Sequence, residues 1–205
     1  MKNLTLENIA RVCGGTYYGP ADKLQEEVMS VITDSRKAEE GCLFVPIVGE
    51  RVDAHKFIPQ VMEAGALATL SERVLDNADF PYIAVESSLQ AVKDIAEFYL
   101  KQLQIPVVGI TGSVGKTTTR EMISTVLASQ KKVFQTIGNQ NSQIGVPLTL
   151  SHLTREDEIA VLEIGMSERG QIEKLTNMIR PNVAVVTMIG VSHIAQLKTQ
   201  ENICA

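Results

Sequence analysis

The chain has 205 residues, 44% of them hydrophobic and 21% charged, so it can bury a substantial core and a disordered chain is excluded. A net charge of −5 without a long basic run argues against nucleic acid as the main partner, and no apolar stretch approaches membrane-spanning length, so no membrane insertion is expected. The first residues lack the apolar core of a signal peptide and the three cysteines are scattered, which favours a cytoplasmic protein with reduced thiols.

The first half of the chain alternates short apolar runs with segments of helical spacing. In chain order the predicted elements are a helix from Thr5 to Gly14, strands at 28–33, 42–48, 66–70 and 82–85, a helix that ends at Gly65, and a longer helix from Ser87 or Ser88 to Leu103. This alternation predicts a compact α/β domain over residues 1–103, with a boundary just before the next strand.

The most informative stretch is residues 105–121, IPVVGITGSVGKTTTRE. A buried strand is predicted at 106–110, a glycine-rich loop at Gly112-Ser113-Val114-Gly115-Lys116-Thr117-Thr118, and a helix after it. Strand, glycine loop and helix in this order are the context of a phosphate-binding loop, because glycines turn N–H groups toward one anion and the helix N-terminus adds donors. Lys116 would reach the terminal phosphates, and the Thr117 hydroxyl would bind magnesium.

The loop departs from the wider phosphate-loop pattern at one position. Ile110 stands where that pattern has a glycine, so the stretch fits T-G-x-x-G-K-T-T instead. A glycine-rich turn before an ordinary helix is the alternative interpretation.

The second domain, 104–205, continues the α/β pattern, with strands predicted at 133–137, 159–164 and 183–189 and a helix between the last two. Asn139, Glu163 and His193 follow or end these strands and are expected to meet Lys116 and Thr117 at one sheet edge. Glu163 is a candidate magnesium ligand, the alternative being a helix-capping or ion-paired carboxylate. For His193, a role as a core or surface residue is about as frequent as a role as a ligand. Imidazole is also an unusual magnesium ligand.

Two groups in the first domain are candidate anion contacts. One is the run Asp34-Ser35-Arg36, which follows a predicted strand, and the other is Arg51 with His55. From spacing alone an ordinary polar turn is favoured, since Asp and Ser prefer turns for backbone reasons.

These motifs together resemble the Mur ligases of peptidoglycan synthesis over nearly the whole chain. The resemblance rests on TDSR (33–36), GCLFV (41–45), GER with DAH (49–55), ITGSVGKTTT (110–119), GNQN with IGVP (138–147), EIGM (163–166) and SH (192–193). The first-domain motifs favour the member of this family that adds D-alanyl-D-alanine to a UDP-N-acetylmuramoyl tripeptide.

The resemblance implies a fold and a reaction. It implies an α/β N-terminal domain that binds the UDP end of the substrate, with Asp34, Ser35 and Arg36 at the uridine site, and a mostly parallel central ATPase domain. ATP and Mg²⁺ are the implied cofactors, and an amide bond would form through an acyl phosphate during cell-wall biogenesis, with roles in cell shape and division. The amides of residues 112–118 would bind the phosphates. Thr117 and Glu163 would hold one magnesium ion, and His193 together with Glu163 would hold a second.

The chain also departs from the family pattern. Ser142 stands where asparagine is common, Ala195 stands where glutamate often follows the histidine, and family members continue past residue 205. A carbamylated lysine is implied beyond Ile203. We therefore expect a fragment that does not ligate by itself and that self-associates through an open sheet edge, whereas the full-length protein is expected to be monomeric.

Two other functions stay open at this point. One is a sister ligase of the folylpolyglutamate or cyanophycin synthetase type, against which the Asp34-Ser35-Arg36 motif speaks. The other is a nucleotide-binding switch without ligase chemistry, which predicts guanine selectivity, although the sequence has no N-K-x-D motif.

Overall fold

The computed structural model describes residues 1–49 and 52–204, which fall into two compact units, Met1–Gln102 and Leu103–Ala205. Each unit has its own sheet and its own buried core. Within the described ranges, no helix is long and apolar enough to span a membrane.

The N-terminal unit is built on a mixed sheet. Its elements are α1 (Leu6–Val12), β1 (Thr16–Tyr18), β2 (Val31–Ile32), β3 (Leu43–Phe44), α2 (Ile58–Glu63), β4 (Ala68–Ser71), β5 (Tyr82–Ala84) and α3 (Ser88–Leu103), with 3-10 helices at Ala21–Gln25, Ser35–Lys37 and Ala54–Phe57. The strand order is β1-β5-β4-β3-β2, with β1 antiparallel to β5 and all other pairs parallel. Ile32, Phe44, Ile58 and Val61 form part of a buried cluster between the sheet and α2.

The predicted first helix is confirmed, including its cap. The Thr5 hydroxyl accepts a hydrogen bond from the Asn8 N–H at 3.2 Å, which satisfies one of the free donors of the first turn. Gly14 follows the helix at a φ of 59°, a left-handed conformation that glycine adopts without steric cost.

The predicted strand at 28–33 is much shorter than expected. Only Val31–Ile32 pairs within the sheet, because the Val28 N–H is bonded to the Leu4 carbonyl and the Met29 N–H to the Gly41 carbonyl. Strand β1 was not predicted, since three residues carry too little pattern to be recognised.

The C-terminal unit is a parallel α/β layer, as predicted. Its elements are β6 (Val107–Thr111), α4 (Lys116–Leu127), β7 (Val133–Gln135), α5 (Gly145–Leu150), β8 (Ile159–Glu163), α6 (Gln171–Ile179), β9 (Val183–Val186), α7 (Ile194–Leu197) and α8 (Gln200–Cys204). The strand order is β7-β8-β6-β9, and all three pairs are parallel. The carboxyl ends of β6 and β8 therefore lie side by side, with Ile110 in register with Glu163.

The last predicted strand, 183–189, ends early. Strand β9 stops at Val186, and the segment after it turns along the loop that follows β6, where the Met188 carbonyl accepts the Ser113 N–H at 2.7 Å. Strand β9 lies at one edge of the sheet, and Val183 and Val186 are exposed. Helices α5, α7 and α8 were not predicted, because short helices carry weak periodicity.

Candidate functional site

The loop between β6 and α4 has the glycine-dependent shape that its sequence predicts. Gly112 has a φ of 133° and Gly115 a φ of 85°, and Gly115 is the N-cap of α4. A Cβ on Gly112 would lie 2.2 Å from Thr187 Oγ1, so a side chain has no room there. The strand, glycine loop and helix of the sequence prediction are thus confirmed as local structure.

Lys116 lies across this loop. Its Nζ donates a hydrogen bond to the Gly112 carbonyl at 2.7 Å, and the residue is half-buried. The first bond of the helix backbone at this end runs from Thr119 N–H to the Gly115 carbonyl. The N–H groups of residues 116–118 precede it and are the free donors of the helix N-terminus, and together with Lys116 they make the loop suitable for phosphate.

One amide of the predicted cradle is already engaged. The Ser113 N–H donates to the Met188 carbonyl, so in this structure it is not directed at a ligand. Three more hydrogen bonds join the same parts of the chain: Thr187 Oγ1 to the Val114 carbonyl at 2.6 Å, Gly190 N–H to Ser113 Oγ at 2.9 Å, and Ser192 Oγ to the Ser113 carbonyl at 3.1 Å. The segment 187–192 therefore braces the loop, a contact between distant residues that sequence reasoning missed.

Glu163 ends β8 next to this loop and is only 2% exposed. Its Oε2 accepts a hydrogen bond from Thr117 Oγ1 at 3.3 Å, which joins the two residues predicted to share a magnesium ion. Its Oε1 lies 3.0 Å from Arg120 Nη1, so the ion-paired alternative is also realised. A carboxylate and a hydroxyl are hard oxygen donors, and Glu163 Oε2 lies beside Thr117 Oγ1 at the end of β8, so the pair fits Mg²⁺.

Arg120 was not singled out in the sequence. It lies one helical turn after Lys116 and Thr117, and this spacing, which puts the three residues on one helix face, is the signal that could have found it. Its guanidinium is buried against Glu163, and Nη1 also donates to the Thr136 carbonyl at 2.9 Å and to the Gly138 carbonyl at 3.2 Å.

A cavity of about 480 Å³ opens beside the loop. Gly112, Ser113, Lys116 and His193 line it, so four predicted site residues share one space. Asn141, Ser142, Gly165 and Met166 line it as well, and the Ser142 hydroxyl accepts from the Gly145 N–H at 3.1 Å.

His193 and Asn139 differ in their placement, since, among the described residues, His193 lines the cavity with Lys116 and Asn139 does not. His193 has a left-handed backbone (φ 60°) and is exposed, and no hydrogen bond or ion pair joins it to Glu163 within the described residues. Asn139 is exposed and is not among the described residues that line the cavity. Val114, Gly115 and Thr118 lie exposed on the loop and the first turn of α4.

The Asp34-Ser35-Arg36 run in the N-terminal unit forms the polar turn that its spacing favours. Asp34 Oδ1 accepts from the Arg36 N–H at 3.0 Å and from Nε at 2.9 Å, while Oδ2 lies 2.7 Å from Nη2. These hydrogen bonds, the side-chain ones first, lower the pKa of Asp34 to about 2. The Arg36 side chain remains 85% exposed and can meet a ligand.

His55 lies in a turn capped by Asp53, the interpretation that its spacing favours, and it is not available to an anion. The residue is buried, its Nδ1 lies 2.6 Å from Asp53 Oδ1, and its Nε2 accepts the Glu72 N–H at 3.0 Å. Because Nε2 is an acceptor, Nδ1 carries the proton, and both nitrogens are used inside the protein. Its predicted companion Arg51 lies outside the described residues.

The fold and the loop define a class: a parallel α/β protein with a glycine loop suited to phosphate and an adjacent buried carboxylate. Residues 110–205 match the sequence family of the Mur ligase middle domain. The UDP-N-acetylmuramoyl-tripeptide–D-alanyl-D-alanine ligase of Bacillus subtilis is 43% identical over 97% of this chain and 44% of its own length. The Escherichia coli protein of the same name is 37% identical over 95% of this chain and 42% of its own length.

Solved structures agree with the sequence matches. A crystal structure of MurF from Acinetobacter baumannii has a TM-score of 0.91 and 33% identity, over 98% of this chain and 44% of that one. MurF from Thermotoga maritima in complex with ADP has a TM-score of 0.80 and 37% identity, over 85% of this chain and 41% of that one. The chain belongs to the Mur ligase family, as the motifs indicated, and it spans about 44% of the length of the Bacillus subtilis relative.

Proposed function

We propose that this chain binds nucleotide and substrate for an ATP-dependent ligase that joins D-alanyl-D-alanine to a UDP-N-acetylmuramoyl tripeptide. The observation that carries the proposal is that Thr117, which follows Lys116 in the loop after β6, donates a hydrogen bond to Glu163 at the end of the neighbouring strand β8. The names of the Bacillus subtilis and Escherichia coli relatives support this choice of substrates.

In the proposed reaction, the substrate carboxylate attacks the γ-phosphorus of ATP and releases ADP. The amine of D-alanyl-D-alanine then attacks the resulting acyl phosphate, so that a C–N bond forms, the C–O bond to phosphate breaks, and the amine loses a proton. Lys116 and the N–H groups of residues 116–118 hold the phosphates during the first step. These groups act by position and charge, since phosphoryl transfer requires little covalent participation by the protein.

Thr117 and Glu163 are the residues proposed to hold magnesium. When bound, the ion supplies positive charge that neutralises the phosphates. Arg120 and Thr117 each already contact one carboxylate oxygen, so the side chain is held in place before a ligand arrives. The role of His193 with Glu163 at a second magnesium stays a prediction, and the position of His193 on the cavity wall supports a contact in this space.

The N-terminal unit is proposed to bind the UDP end of the substrate near Asp34, Ser35 and Arg36. Arg36 is fixed by Asp34 through two side-chain hydrogen bonds yet remains largely exposed, an arrangement that suits recognition of a phosphate or a uracil carbonyl. We further propose that the protein works in the cytoplasm as a monomer.

The test is nucleotide binding by the 205-residue chain, measured by calorimetry with magnesium present. ATP is expected to bind more tightly than GTP. The Lys116→Ala substitution is expected to weaken ATP binding by about 1.5–3 kcal/mol, the range for a hydrogen bond to a charged group. Lys174→Ala, on the exposed face of α6, is the matched control and should bind like the parent. Equal affinity for ATP in the parent and Lys116→Ala would remove the loop assignment, and a preference for GTP would favour a switch.

Substrate specificity is tested separately. Displacement of a labelled UDP-N-acetylmuramoyl tripeptide distinguishes this ligase from a folylpolyglutamate-type enzyme. If an unlabelled folate competes as well as the UDP precursor, the proposed substrate is wrong.

A further inference from the structure

Arg120 is a buried charge with partners on three parts of the C-terminal unit: the end of β8, the segment after β7, and Glu121 on its own helix, which pairs with Nη2. It is 6% exposed on α4, and its Nη1 lies 3.0 Å from Glu163 Oε1 at the end of β8. The same nitrogen donates to the Thr136 and Gly138 carbonyls, in the segment that follows β7. A buried guanidinium is costly unless it is paired and hydrogen-bonded, so these partners define where it can lie.

The contacts of Glu163 divide its carboxylate between two neighbours. Oε1 faces Arg120, Oε2 accepts from the Thr117 hydroxyl, and the backbone N–H of Glu163 donates to Thr136 Oγ1 at 2.7 Å. The guanidinium thus holds one oxygen and leaves the other beside Thr117. This is the oxygen pair, carboxylate and hydroxyl, that the proposed function assigns to a divalent cation.

We propose that Arg120 is a positioning residue that presets the Glu163 carboxylate for metal-dependent nucleotide binding. It acts through Glu163 and touches neither nucleotide nor metal, and the inference rests on the proposed function of this site. Its planar fork also ties α4 to the segment after β7, so that the helix carrying Lys116 and the strand end carrying Glu163 keep a fixed spacing.

Incomplete satisfaction of this pair argues against a purely structural role. Arg120 Nε and Glu163 Oε1 are buried and make no hydrogen bond within the described chain. Replacing a whole buried ion pair by apolar residues of similar volume is often neutral, whereas removing Arg120 alone leaves the buried Glu163 charge unpaired and lowers stability. The effect on positioning is therefore measured on the folded chain, as a ratio of nucleotide affinities with and without the metal.

The experiment measures the affinity of the 205-residue chain for ATP by calorimetry, once with excess Mg²⁺ and once with EDTA. The ratio of the two affinities is the metal increment. Arg120→Met keeps much of the volume without the charge, and it is expected to lower the increment about tenfold while the affinity in EDTA changes little. Arg120→Lys keeps a charge but not the fork, so it is expected to recover only part of the increment. Arg155→Met, an exposed arginine of the same unit, is the control.

A double-mutant cycle with Glu163→Gln separates positioning from packing. If Arg120 acts through Glu163, the double variant loses no more of the metal increment than Glu163→Gln alone. A parental increment in Arg120→Met, or in Arg120→Lys if the methionine variant does not fold, overturns the proposal. An increased increment also overturns it, since Arg120 would then repel the cation. If the parent chain shows no increment and Glu163→Gln changes nothing, it is the magnesium assignment that fails.

Discussion

Individual thiols in this chain differ in reactivity because they differ in burial. Burial, and to a lesser extent the nearby Asp94 carboxylate, raises the pKa of Cys13 to about 12. Cys42 is buried and its pKa is also raised by desolvation, whereas Cys204 is exposed. Since the thiolate is the reactive form, the first two cysteines should be inert at neutral pH.

Thiol labelling at pH 8 tests this difference. A chromogenic disulfide reagent should modify Cys204 rapidly in the native chain and all three cysteines after unfolding in urea. Cys204→Ser should abolish the fast phase. A second fast phase in the native Cys204→Ser variant would show that Cys13 or Cys42 is accessible, contrary to the structure.

The turn at Asp34 gives a pH-dependent prediction. Arg36 lowers the pKa of Asp34 from its ordinary value of 3.8 to about 2, so the folded pKa lies below the unfolded one. The stabilising contribution is therefore present above about pH 4 and is lost as the pH falls through 2. Arg36→Met removes the side-chain hydrogen bonds but keeps the backbone one, so the pKa should move part of the way back.

Carboxyl-carbon chemical shifts followed by NMR during an acid titration measure this pKa. Lys37→Met serves as the control, because Lys37 has the smallest influence on Asp34 among the identified causes. An unchanged Asp34 pKa in Arg36→Met would mean that the salt bridge does not persist in solution.

The sequence predicted which residues lie close together only where they belong to one local motif or to the end of a strand. Lys116 and Thr117 follow directly from the glycine loop, and Glu163 from its place at a strand end. The local pattern favoured the turn at His55, but it does not show that both ring nitrogens are engaged, because the partner of Nε2, the Glu72 N–H, is distant in sequence. Helix spacing puts Arg120 on the face of Lys116 and Thr117, but its contacts with Thr136 and Glu163 come from other elements and are not visible in the local pattern.

At the scale of elements, the loop between β6 and α4 depends on the segment that follows β9. A Cβ on Gly112 would meet Thr187 Oγ1 at 2.2 Å and the Met188 backbone at 3.0 Å, on top of the strain of a φ of 133°. Gly112→Ala is therefore expected to lower the urea midpoint of unfolding. Gly170→Ala separates the two causes, because Gly170 also has a positive φ (78°) but open space around it.

The expected cost of Gly170→Ala is about 1–2 kcal/mol, the backbone strain alone, and Gly112→Ala should exceed it. Adding Thr187→Ala to Gly112→Ala should recover part of the difference, since it removes the closest atom. Equal midpoints for the two alanine variants would mean that the segment 187–192 does not press on the loop.

Element boundaries were the least predictable feature of the fold. An apolar run shows which residues can be buried, but the pairing partners decide where a strand ends. At 28–33 the N–H groups of Val28 and Met29 bond outside the sheet, and after Val186 the chain leaves the sheet to brace the loop. Long periodic segments such as α3 carry their own signal and were predicted nearly to the residue.

At the scale of the whole molecule, the α/β class and the parallel central sheet could be predicted, whereas the strand orders could not. Strand order depends on which crossovers bury the most apolar surface, a property of the whole sheet. The antiparallel pairing of β1 with β5 illustrates this, because nothing in the short β1 sequence indicates its partner.

The N-terminal unit is expected to fold without the rest of the chain. All strands of its sheet lie within residues 1–102, and Phe44, Ile58 and Val61 are buried among residues of the same unit. Its length is typical of an independent domain. A chain of residues 1–103 should therefore give a dispersed amide NMR spectrum and a single cooperative urea transition.

Phe44→Ala should lower its stability by about 3–5 kcal/mol, the usual cost of removing a buried phenylalanine. Tyr18→Ala, a partly exposed ring stacked on Tyr82, is the matched aromatic control and should cost less. A collapsed spectrum for residues 1–103, or equal effects of the two substitutions, would show that this core does not hold the unit together.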